Sequence, residues 1–180
     1  MVFEELSIKG VFKITCDDFL DTRGSVTKVF TENGFAEHGL TTNFKESFFS
    51  ISAKNVIRGM HFQVTPSACS KLVYVPVGAI LDVILDIRKD EPTFGKFVTL
   101  ELSRKNHTAV FIPEGFAHGF ISLEDNSYTT YLQSHMRDTD AERGVRYDSF
   151  GMEWGLKDTI LSERDTLLPT LEEYRSTLAI

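Results

Sequence analysis

The chain has 180 residues, of which 42% are hydrophobic and 25% charged, and this composition predicts one ordinary globular domain spanning residues 1–180. A formal charge of −7 and an isoelectric point near 5.2 exclude a general basic surface for nucleic acid. No apolar run reaches membrane-spanning length and the first residues, MVFEELSIKG, are too charged for a secretory signal, so a cytoplasmic protein without membrane contact is expected.

Strand-forming sequence dominates the chain, because fifteen phenylalanines accompany many Val, Ile and Thr residues. Helical pattern is confined to ENGFAEHGL, residues 32–40, and TLEEYRSTL, near the end of the chain. The run KLVYVPVGAILDVILDIR predicts two strands with a turn at Pro76-Val77-Gly78. Further strands are predicted in FGKFVTLELS, on both sides of Pro113 and Gly115, and in SYTTYLQSHM. Turn residues about every 8–12 positions indicate a mostly antiparallel all-β sandwich or barrel.

The stretch NVIRGMHFQ, residues 55–63, places an arginine and a histidine inside a predicted strand. Strict alternation would turn Arg58 and Met60 to one face and His61, with its neighbours Ile57 and Gly59, to the other. A histidine between apolar residues is often no more than a hydrogen-bonded core residue. His61 alone is therefore weak evidence for a site.

Other polar residues interrupt the apolar strands and strengthen the case for a site. Lys71 begins one strand, Asp82 and Asp86 interrupt the next, and His118 lies within GFAHGF. Buried charges are costly unless they are paired or used. Several such groups converging inside a barrel predict an active site.

Several classes of chemistry find no support in the sequence. Barrels that bind metal usually offer two histidines one residue apart, but the second residue after His61 is Gln63, so no metal site is expected. Cys16 and Cys69 follow no metal or redox spacing and are predicted to be free thiols. The sequence also lacks a Gly-x-Ser-x-Gly turn, a phosphate-binding glycine loop and a dinucleotide fingerprint.

A set of His, Lys, Asp and Arg suits proton transfer beside a carbonyl. A histidine can act as a general base near neutral pH, and a lysine can stabilise the enolate oxygen that forms. Arginines next to glycine, as in Arg23-Gly24 and Arg58-Gly59, can approach phosphates closely and bind them with two hydrogen bonds.

Ordered motifs extend this reading over residues 10–165: DTRG, VIRGMHFQ, KLVYVPVGAILDVILDIR, PTFG, FIPEGFAHGF, ERGV and LSERD. In this order they resemble the dTDP-4-dehydrorhamnose 3,5-epimerase family. The resemblance implies a double-stranded β-helix (cupin jelly roll) with short peripheral helices, a homodimer, and no metal or organic cofactor. It also implies a nucleotide-diphosphate-linked 4-keto-6-deoxy sugar as substrate, in polysaccharide biosynthesis.

Position by position, the resemblance assigns three catalytic roles. His61 is the base that removes the proton beside the C4 ketone, Asp165 orients it and stabilises its charge, and Lys71 stabilises the enolate. Tyr131, also placed among the catalytic residues, matches a family tyrosine that lines the sugar pocket. The substrate-binding residues implied are Phe19, Arg23 (contributed by the other subunit), Arg58 and His118.

Arg137 departs from the family pattern. A second family tyrosine, thought to be the acid that returns the proton, falls on this position. The acid is then missing unless Tyr147 or His135 substitutes. We therefore expect a single inversion, at C3 rather than C5, with Arg137 kept among the substrate-binding residues.

The residues expected around the base of the nucleotide depart as well. A family Phe and Glu after DTRG become Val26 and Lys28, and a family Gln and Asn become Glu46 and Phe48. Lysine has no acceptor for the thymine N–H, but it can donate to cytosine, while Glu46 can accept from an exocyclic amine that guanine also offers. This predicts CDP rather than dTDP, with a merely solvated Lys28 as the alternative.

Three other functions remain compatible with the sequence. They are a standard dTDP-4-keto-6-deoxyglucose 3,5-epimerase, a 3,4-ketoisomerase of related sugar-nucleotide cupins, and a non-catalytic sugar-nucleotide-binding cupin. The pairing of His61 with Asp165 favours an epimerase, because a binding protein needs no base.

Overall fold

The computed structural model describes residues 1–155 and 158–178, and within these residues the fold is all-β with three short helices. The first five strands are β1 (Val2–Glu5), β2 (Phe12–Thr15), β3 (Asp17–Asp21), β4 (Gly24–Lys28) and β5 (Glu46–Ser52). They are followed by β6 (Ile57–Gln63), β7 (Lys71–Val77), β8 (Ala79–Asp86), β9 (Phe97–Ser103), β10 (Thr108–Ile112), β11 (Phe116–Ser122), β12 (Ser127–Gln133) and β13 (Glu142–Gly144). The helices are α1 (Glu32–Glu37), α2 (Glu163–Thr166) and α3 (Leu171–Thr177).

Two antiparallel sheets face each other. One has the order β1-β2-β10-β7-β12-β5 and the other the order β13-β6-β11-β8-β9, while β3 and β4 form a separate hairpin. Inward-facing side chains of both sheets form one apolar cluster, which includes Val73 and Ile84. α1 covers the outside of the first sheet through Phe35, and the C-terminal segment with Trp154 and Tyr174 packs on the outside of the second.

The predicted strands from residue 71 onward and both predicted helices are confirmed. The turn after β7 is shorter than the sequence suggested, because the strand continues through Pro76 and only Gly78 separates it from β8. Gly78 has φ of +80°, and a Cβ there would lie 2.5 Å from the Ser127 hydroxyl oxygen, so both conformation and space favour glycine. Five strands, β1 to β5, together with β13 and α2, were not predicted.

The strict alternation expected for β6 is wrong. His61 pairs with His118 and Arg58 pairs with Phe120, so three steps along β6 match two steps along β11. This extra residue is a β-bulge, and it brings Arg58 and His61 to the same face although they are three residues apart. Met60 is fully buried on the opposite face, in the outer cluster.

Asp86 does not join the other polar residues between the sheets, as the sequence had suggested. Its carboxylate accepts from the Arg88 Nε at 2.9 Å and Nη2 at 2.6 Å and from the Thr93 hydroxyl, while the Arg88 guanidinium lies 4.4 Å from the ring centroid of Phe116. This group closes one end of β8. Its role is structural.

Within the described residues no helix is long and apolar enough to cross a membrane. In the same part of the chain, no three His, Cys, Asp or Glu side chains group closely enough to hold a metal ion. Cys16 and Cys69 are both buried free thiols.

Candidate active site

A cavity of about 760 Å³ opens between the two sheets at one end of the sandwich. Its wall is built by residues of β5, β6, β7, β11 and β12, and by the segment that carries α2. The polar residues among those lining it are Glu46, Ser50, Arg58, His61, Gln63, Lys71, His118, Tyr131, Gln133, Arg137, Glu142, Ser162, Arg164 and Asp165. The volume is that of a small-molecule site.

His61 and Asp165 form a hydrogen-bonded pair in this wall. The Nε2 of His61 lies 2.7 Å from Oδ1 of Asp165. An ionised carboxylate only accepts, so Nε2 carries the proton and Nδ1 keeps the lone pair. Among the described residues no hydrogen bond reaches Nδ1. The imidazole is about one third exposed, which leaves this nitrogen free to act as a base.

α2 holds Asp165 in place. The Ser162 hydroxyl caps this helix by accepting from the backbone N–H of Asp165 at 3.1 Å, and Oδ2 of Asp165 accepts from the Gly59 N–H at 3.3 Å. Burial acts to raise the pKa of the Asp165 carboxyl, but the hydrogen bond and charge of His61 outweigh it and hold the pKa below its usual range. Asp165 is therefore ionised beside the imidazole.

Lys71 and His118 lie on neighbouring walls and are almost fully buried. Burial lowers the pKa of Lys71, against the opposing charges of Cys69, Asp82 and Glu142. Its Nζ donates to the His61 carbonyl oxygen at 3.2 Å. His118 Nε2 lies 2.7 Å from Oδ1 of the fully buried Asp82, so His118 is oriented by a carboxylate just as His61 is.

Tyr131 lies inside the cavity, opposite Phe48 in the pairing of β12 with β5. The rings of Tyr131 and Phe48 stack with centroids 4.7 Å apart and an interplanar angle of 14°. Burial raises the pKa of the Tyr131 phenol, and the nearby Asp82 charge adds to the rise. Tyr131 is thus a protonated phenol at neutral pH.

Charged residues form the rim of the cavity. Glu142 accepts from Arg137 at 2.9 Å and pairs with Arg164 at 3.0 Å, while Glu46 accepts from the backbone N–H of Arg137 at 2.8 Å. Burial acts to raise the pKa of Glu142, but the hydrogen bonds from the two arginines outweigh it and lower the pKa. Arg137, Glu142 and Arg164 therefore form an ion network on the rim, with Glu46 beside it.

Known proteins of one family match this chain over nearly its whole length. The sequence profile of dTDP-4-dehydrorhamnose 3,5-epimerase matches residues 5–173. The dTDP-4-dehydrorhamnose 3,5-epimerase of Mycolicibacterium smegmatis is 38% identical over 178 residues, which are 98% of this chain and 89% of the relative. The chain belongs to the dTDP-4-dehydrorhamnose 3,5-epimerase family. It is an isomerase of nucleotide deoxysugar biosynthesis.

Solved structures of family members superpose closely. The Legionella pneumophila dTDP-6-deoxy-D-glucose-3,5-epimerase in complex with dTDP-4-keto-L-rhamnose has a TM-score of 0.93 and 31% identity, covering 98% of this chain and 96% of its own. A 3′-monoepimerase from Streptomyces bikiniensis in complex with dTDP-quinovose has a TM-score of 0.92 and 27% identity, covering 98% and 91%. The cupin fold expected from the motifs is thereby confirmed.

The structure brings most of the predicted site residues together. The predicted residues that line the cavity are His61, Asp165, Lys71, Tyr131, Arg58, His118, Glu46 and Arg137. The two substitutes considered for a missing acid do not belong to this group. Tyr147 packs in the outer cluster, and His135 bonds through Nδ1 to the Met136 carbonyl oxygen outside the cavity lining.

Three residues that were expected to bind the substrate lie elsewhere. Phe19, Arg23 and Lys28 belong to the β3–β4 hairpin and are exposed, and none of them lines the cavity of its own chain. The Arg23 side chain is 86% exposed and pairs with Asp21. Lys28 and Glu46 therefore do not form a base-reading pair within one chain.

Sequence reasoning missed Ser50, Gln133, Glu142 and Arg164, which also line the cavity. A partial signal for the first was present, because Glu46, Ser50 and Ser52 are polar residues on one face of β5, with Phe48 as the one apolar residue of that face. Glu142 and Arg164 lie in the motifs ERGV and LSERD, but nothing in those motifs shows that the two side chains meet. They meet only because β13 and α2 both pack beside β6.

Proposed function

We propose that this family member inverts C3 of a nucleotide-diphosphate-linked 4-keto-6-deoxyhexose, by removing a proton beside the C4 ketone and returning one to the opposite face. The observation that carries the proposal is the 2.7 Å contact between His61 Nε2 and Asp165 Oδ1 at the wall of the cavity. A carboxylate-oriented imidazole with a free second nitrogen is what such a proton abstraction needs.

In the first step, Nδ1 of His61 takes the proton from C3. The electron pair of the broken C–H bond moves into the C3–C4 bond and places negative charge on the O4 oxygen. Asp165 stabilises the imidazolium that forms, because it is ionised and 2.7 Å away. Such positioned general bases contribute rate factors of roughly 10²–10⁴.

The O4 oxyanion is the part of the intermediate that most needs stabilisation. Lys71 is the buried donor of the cavity wall, and the His61 carbonyl oxygen holds its Nζ in place, whereas the Nε2–H of His118 already donates to Asp82. Donors fixed before the charge appears stabilise it without reorganising. We assign the oxyanion site to Lys71.

The acid of the second step is Tyr131. The Arg137 position had suggested a missing acid, but this position lies on the rim, with its side chain half exposed and bonded to Glu142. Tyr131 is buried in the cavity and its raised pKa keeps the phenol proton in place until a carbanion takes it. The site therefore keeps an acid, Tyr131, although position 137 is an arginine.

A second candidate function is inversion of C5 as well as C3. C5 also lies beside the C4 ketone, and the relatives from M. smegmatis and L. pneumophila carry the name of 3,5-epimerases. Single inversion is supported by the likeness to the S. bikiniensis 3′-monoepimerase. A ketoisomerase and a non-catalytic binder have no counterpart among these relatives.

The nucleotide proposed first is dTDP, which the L. pneumophila and S. bikiniensis structures hold as part of their sugar ligands. CDP remains the second candidate, and it rests on Lys28 and Glu46. Glu46 is in the cavity and keeps one carboxylate oxygen for a ligand, while Lys28 would have to come from a second copy of the chain.

A homodimer is part of the proposal. The β3–β4 hairpin exposes Phe19, Leu20 and Val26, which are between 56% and 81% exposed in the single chain. Exposed apolar side chains of this kind favour packing against a second copy of the chain, which would carry Arg23 to the partner's cavity. The partner's Arg23 would then reach the diphosphate.

Proton NMR in D2O with freshly made dTDP- and CDP-4-keto-6-deoxyglucose tests the proposal. Deuterium at C3 with inverted configuration supports it, and deuterium at both C3 and C5 supports the second candidate. A product with the ketone moved to C3 would reveal a ketoisomerase. Tight binding without any exchange would overturn the proposal.

A further inference from the structure

β5 is the edge strand of the first sheet and bonds only to β12 within it. The side chains of its inner face, at every second residue, nevertheless contact groups of the site or line the cavity. Glu46 accepts from the Arg137 backbone, Phe48 stacks on Tyr131, and Ser52 accepts from Arg58 Nε at 3.0 Å. Ser50 lies between the last two and lines the cavity. No part of the reaction described above uses Phe48 or Ser50.

We infer that Phe48 and Ser50 are positioning residues for Tyr131, and that they decide whether a carbanion formed in the cavity is reprotonated on the opposite face. The inference rests on the proposed role of Tyr131 as the acid. Phe48 and Ser50 would set the orientation of the Tyr131 phenol relative to the carbanion.

The ring of Phe48 fixes the plane of the Tyr131 ring. The two residues are directly opposite in the β5–β12 pairing, and their rings are nearly parallel with centroids 4.7 Å apart. His118 closes a second side of the phenol ring at 5.9 Å, edge to face. A ring held on one face and at one edge has one orientation left, and aromatic pairs of this kind contribute about 0.5–1.5 kcal/mol beyond burial.

Ser50 places a hydroxyl in the wall of the cavity that Tyr131 also lines. Its Oγ is buried and has no hydrogen-bond partner among the described residues, which is costly for a buried hydroxyl. Ser50 pairs with Thr129, two residues before Tyr131 on the same face of β12. The Ser50 hydroxyl can donate to the phenolate that remains after Tyr131 gives up its proton.

The source of the proton that returns to C3 determines what happens when Tyr131 is misaligned. In the wild type the Tyr131 O–H bond breaks, a C3–H bond forms on the opposite face, and the phenolate then recovers a proton from water. When the phenol is misaligned, the enolate persists long enough for His61 to exchange its proton with D2O. His61 then returns a deuteron to the original face, which gives exchange without inversion.

The test is to compare, in D2O, the deuterium at C3 of recovered substrate with the inverted product for Phe48→Leu and Ser50→Ala. We expect inversion to fall about 10–100-fold in each, since small misplacements of a reacting group have costs of this size. Deuterated substrate of retained configuration should rise relative to product. Phe48→Tyr keeps the stacked ring and should restore the wild-type ratio.

Phe49→Leu is the matched control. Phe49 lies on the outer face of β5 and stacks on Tyr128 with centroids 5.8 Å apart, so the same change is made in the same strand away from the cavity. Its exchange-to-inversion ratio should equal that of the wild type. Circular dichroism and nucleotide binding establish that each variant is folded.

Tyr131→Phe separates the inference from the proposed function. If this variant still inverts C3, Tyr131 is not the acid and the proposed function is wrong at that step. If it loses inversion while Phe48→Leu and Ser50→Ala keep the wild-type ratio, the role of Tyr131 stands and the inference about β5 is overturned.

Discussion

His61 and Asp165 are 104 residues apart in the chain, yet Nε2 of the first donates to Oδ1 of the second at 2.7 Å. The second carboxylate oxygen is bound by the Gly59 N–H, so both of its ends are fixed. The carboxylate can accept at both ends because it carries no proton. This sets the tautomer of His61 and leaves Nδ1 as the base.

Replacing Asp165 by asparagine should therefore disturb the reaction more than its small change in shape suggests. An amide cannot accept from both His61 and Gly59, so the imidazole turns to the wrong tautomer or loses its partner. We expect kcat to fall about 10²–10⁴-fold while KM changes only a few-fold. Steady-state kinetics measure both values.

Glu163→Gln is the control for this change, because it makes the equivalent carboxylate-to-amide replacement at an exposed residue of α2. Its kcat should remain at the wild-type value. Equal losses in both variants would mean that α2 rather than the carboxylate was disturbed.

Lys28→Glu tests whether Lys28 reads the nucleotide. A carboxylate accepts from the thymine N–H, whereas lysine only donates, so the substitution should shift preference from CDP toward dTDP sugars. The ratio of kcat/KM for the two substrates should change by about 10-fold or more, the size of one hydrogen bond to a charged group. Lys89→Glu, at another exposed position, controls for the change in charge. An unchanged ratio in Lys28→Glu would show that Lys28 is solvated and does not contact the base of the nucleotide.

Mixing two inactive variants tests the shared site. If the hairpin of one chain completes the cavity of the other, Arg23→Ala mixed with His61→Asn gives heterodimers with one intact site. About a quarter of all sites should then be active after random reassembly. His61→Asn mixed with Asp165→Asn should give no recovery, because these residues meet within one chain. No recovery in the first mixture would place Arg23 outside the partner's site.

The buried pair of Asp86 and Arg88 should stabilise the fold in a pH-dependent way. Burial acts to raise the pKa of Asp86, but the hydrogen bonds from Arg88 and Thr93 outweigh it and lower the pKa. Its stabilisation is thus present above the unfolded carboxyl pKa of about 3.9 and is lost as pH falls through the lower folded value. Arg88→Leu leaves the carboxylate buried without its cation, and should cost about 3–5 kcal/mol near pH 7.

In that variant burial dominates and raises the Asp86 pKa, so the difference in unfolding free energy from the wild type should narrow as pH falls toward 4. Urea unfolding at several pH values measures it. Arg146→Leu removes an arginine from an exposed pair with Asp148 of the same spacing, and should cost less than about 1 kcal/mol. A gap for Arg88→Leu that does not change with pH would contradict the assignment to Asp86.

The sequence predicts the strands best where apolar runs are long and bounded by turn residues, as in β7, β8 and β10 to β12. β5 was missed because ESFFSIS has its apolar residues partly on the solvent side, where Phe49 and Ile51 are exposed. The face of Arg58 could not be predicted from alternation, since the bulge in β6 depends on its pairing with β11. Propensity within one strand holds no information on such a register shift.

The candidate site divides in the same way. His61, Lys71, Asp82 and His118 were visible as polar residues in apolar strands. Asp165 was found only through the resemblance to the family, because α2 and its contact with β6 are products of tertiary packing. Only the structure shows that Arg137 lies on the rim. In our proposal this leaves Tyr131 as the acid.

The most direct test of the central claim is solvent deuterium exchange at C3 of dTDP-4-keto-6-deoxyglucose, followed by NMR for the wild type and for His61→Asn. The account predicts rapid deuterium incorporation by the wild type and none above background by His61→Asn, with nucleotide affinity nearly unchanged. Exchange at the wild-type rate in His61→Asn would show that another group removes the proton.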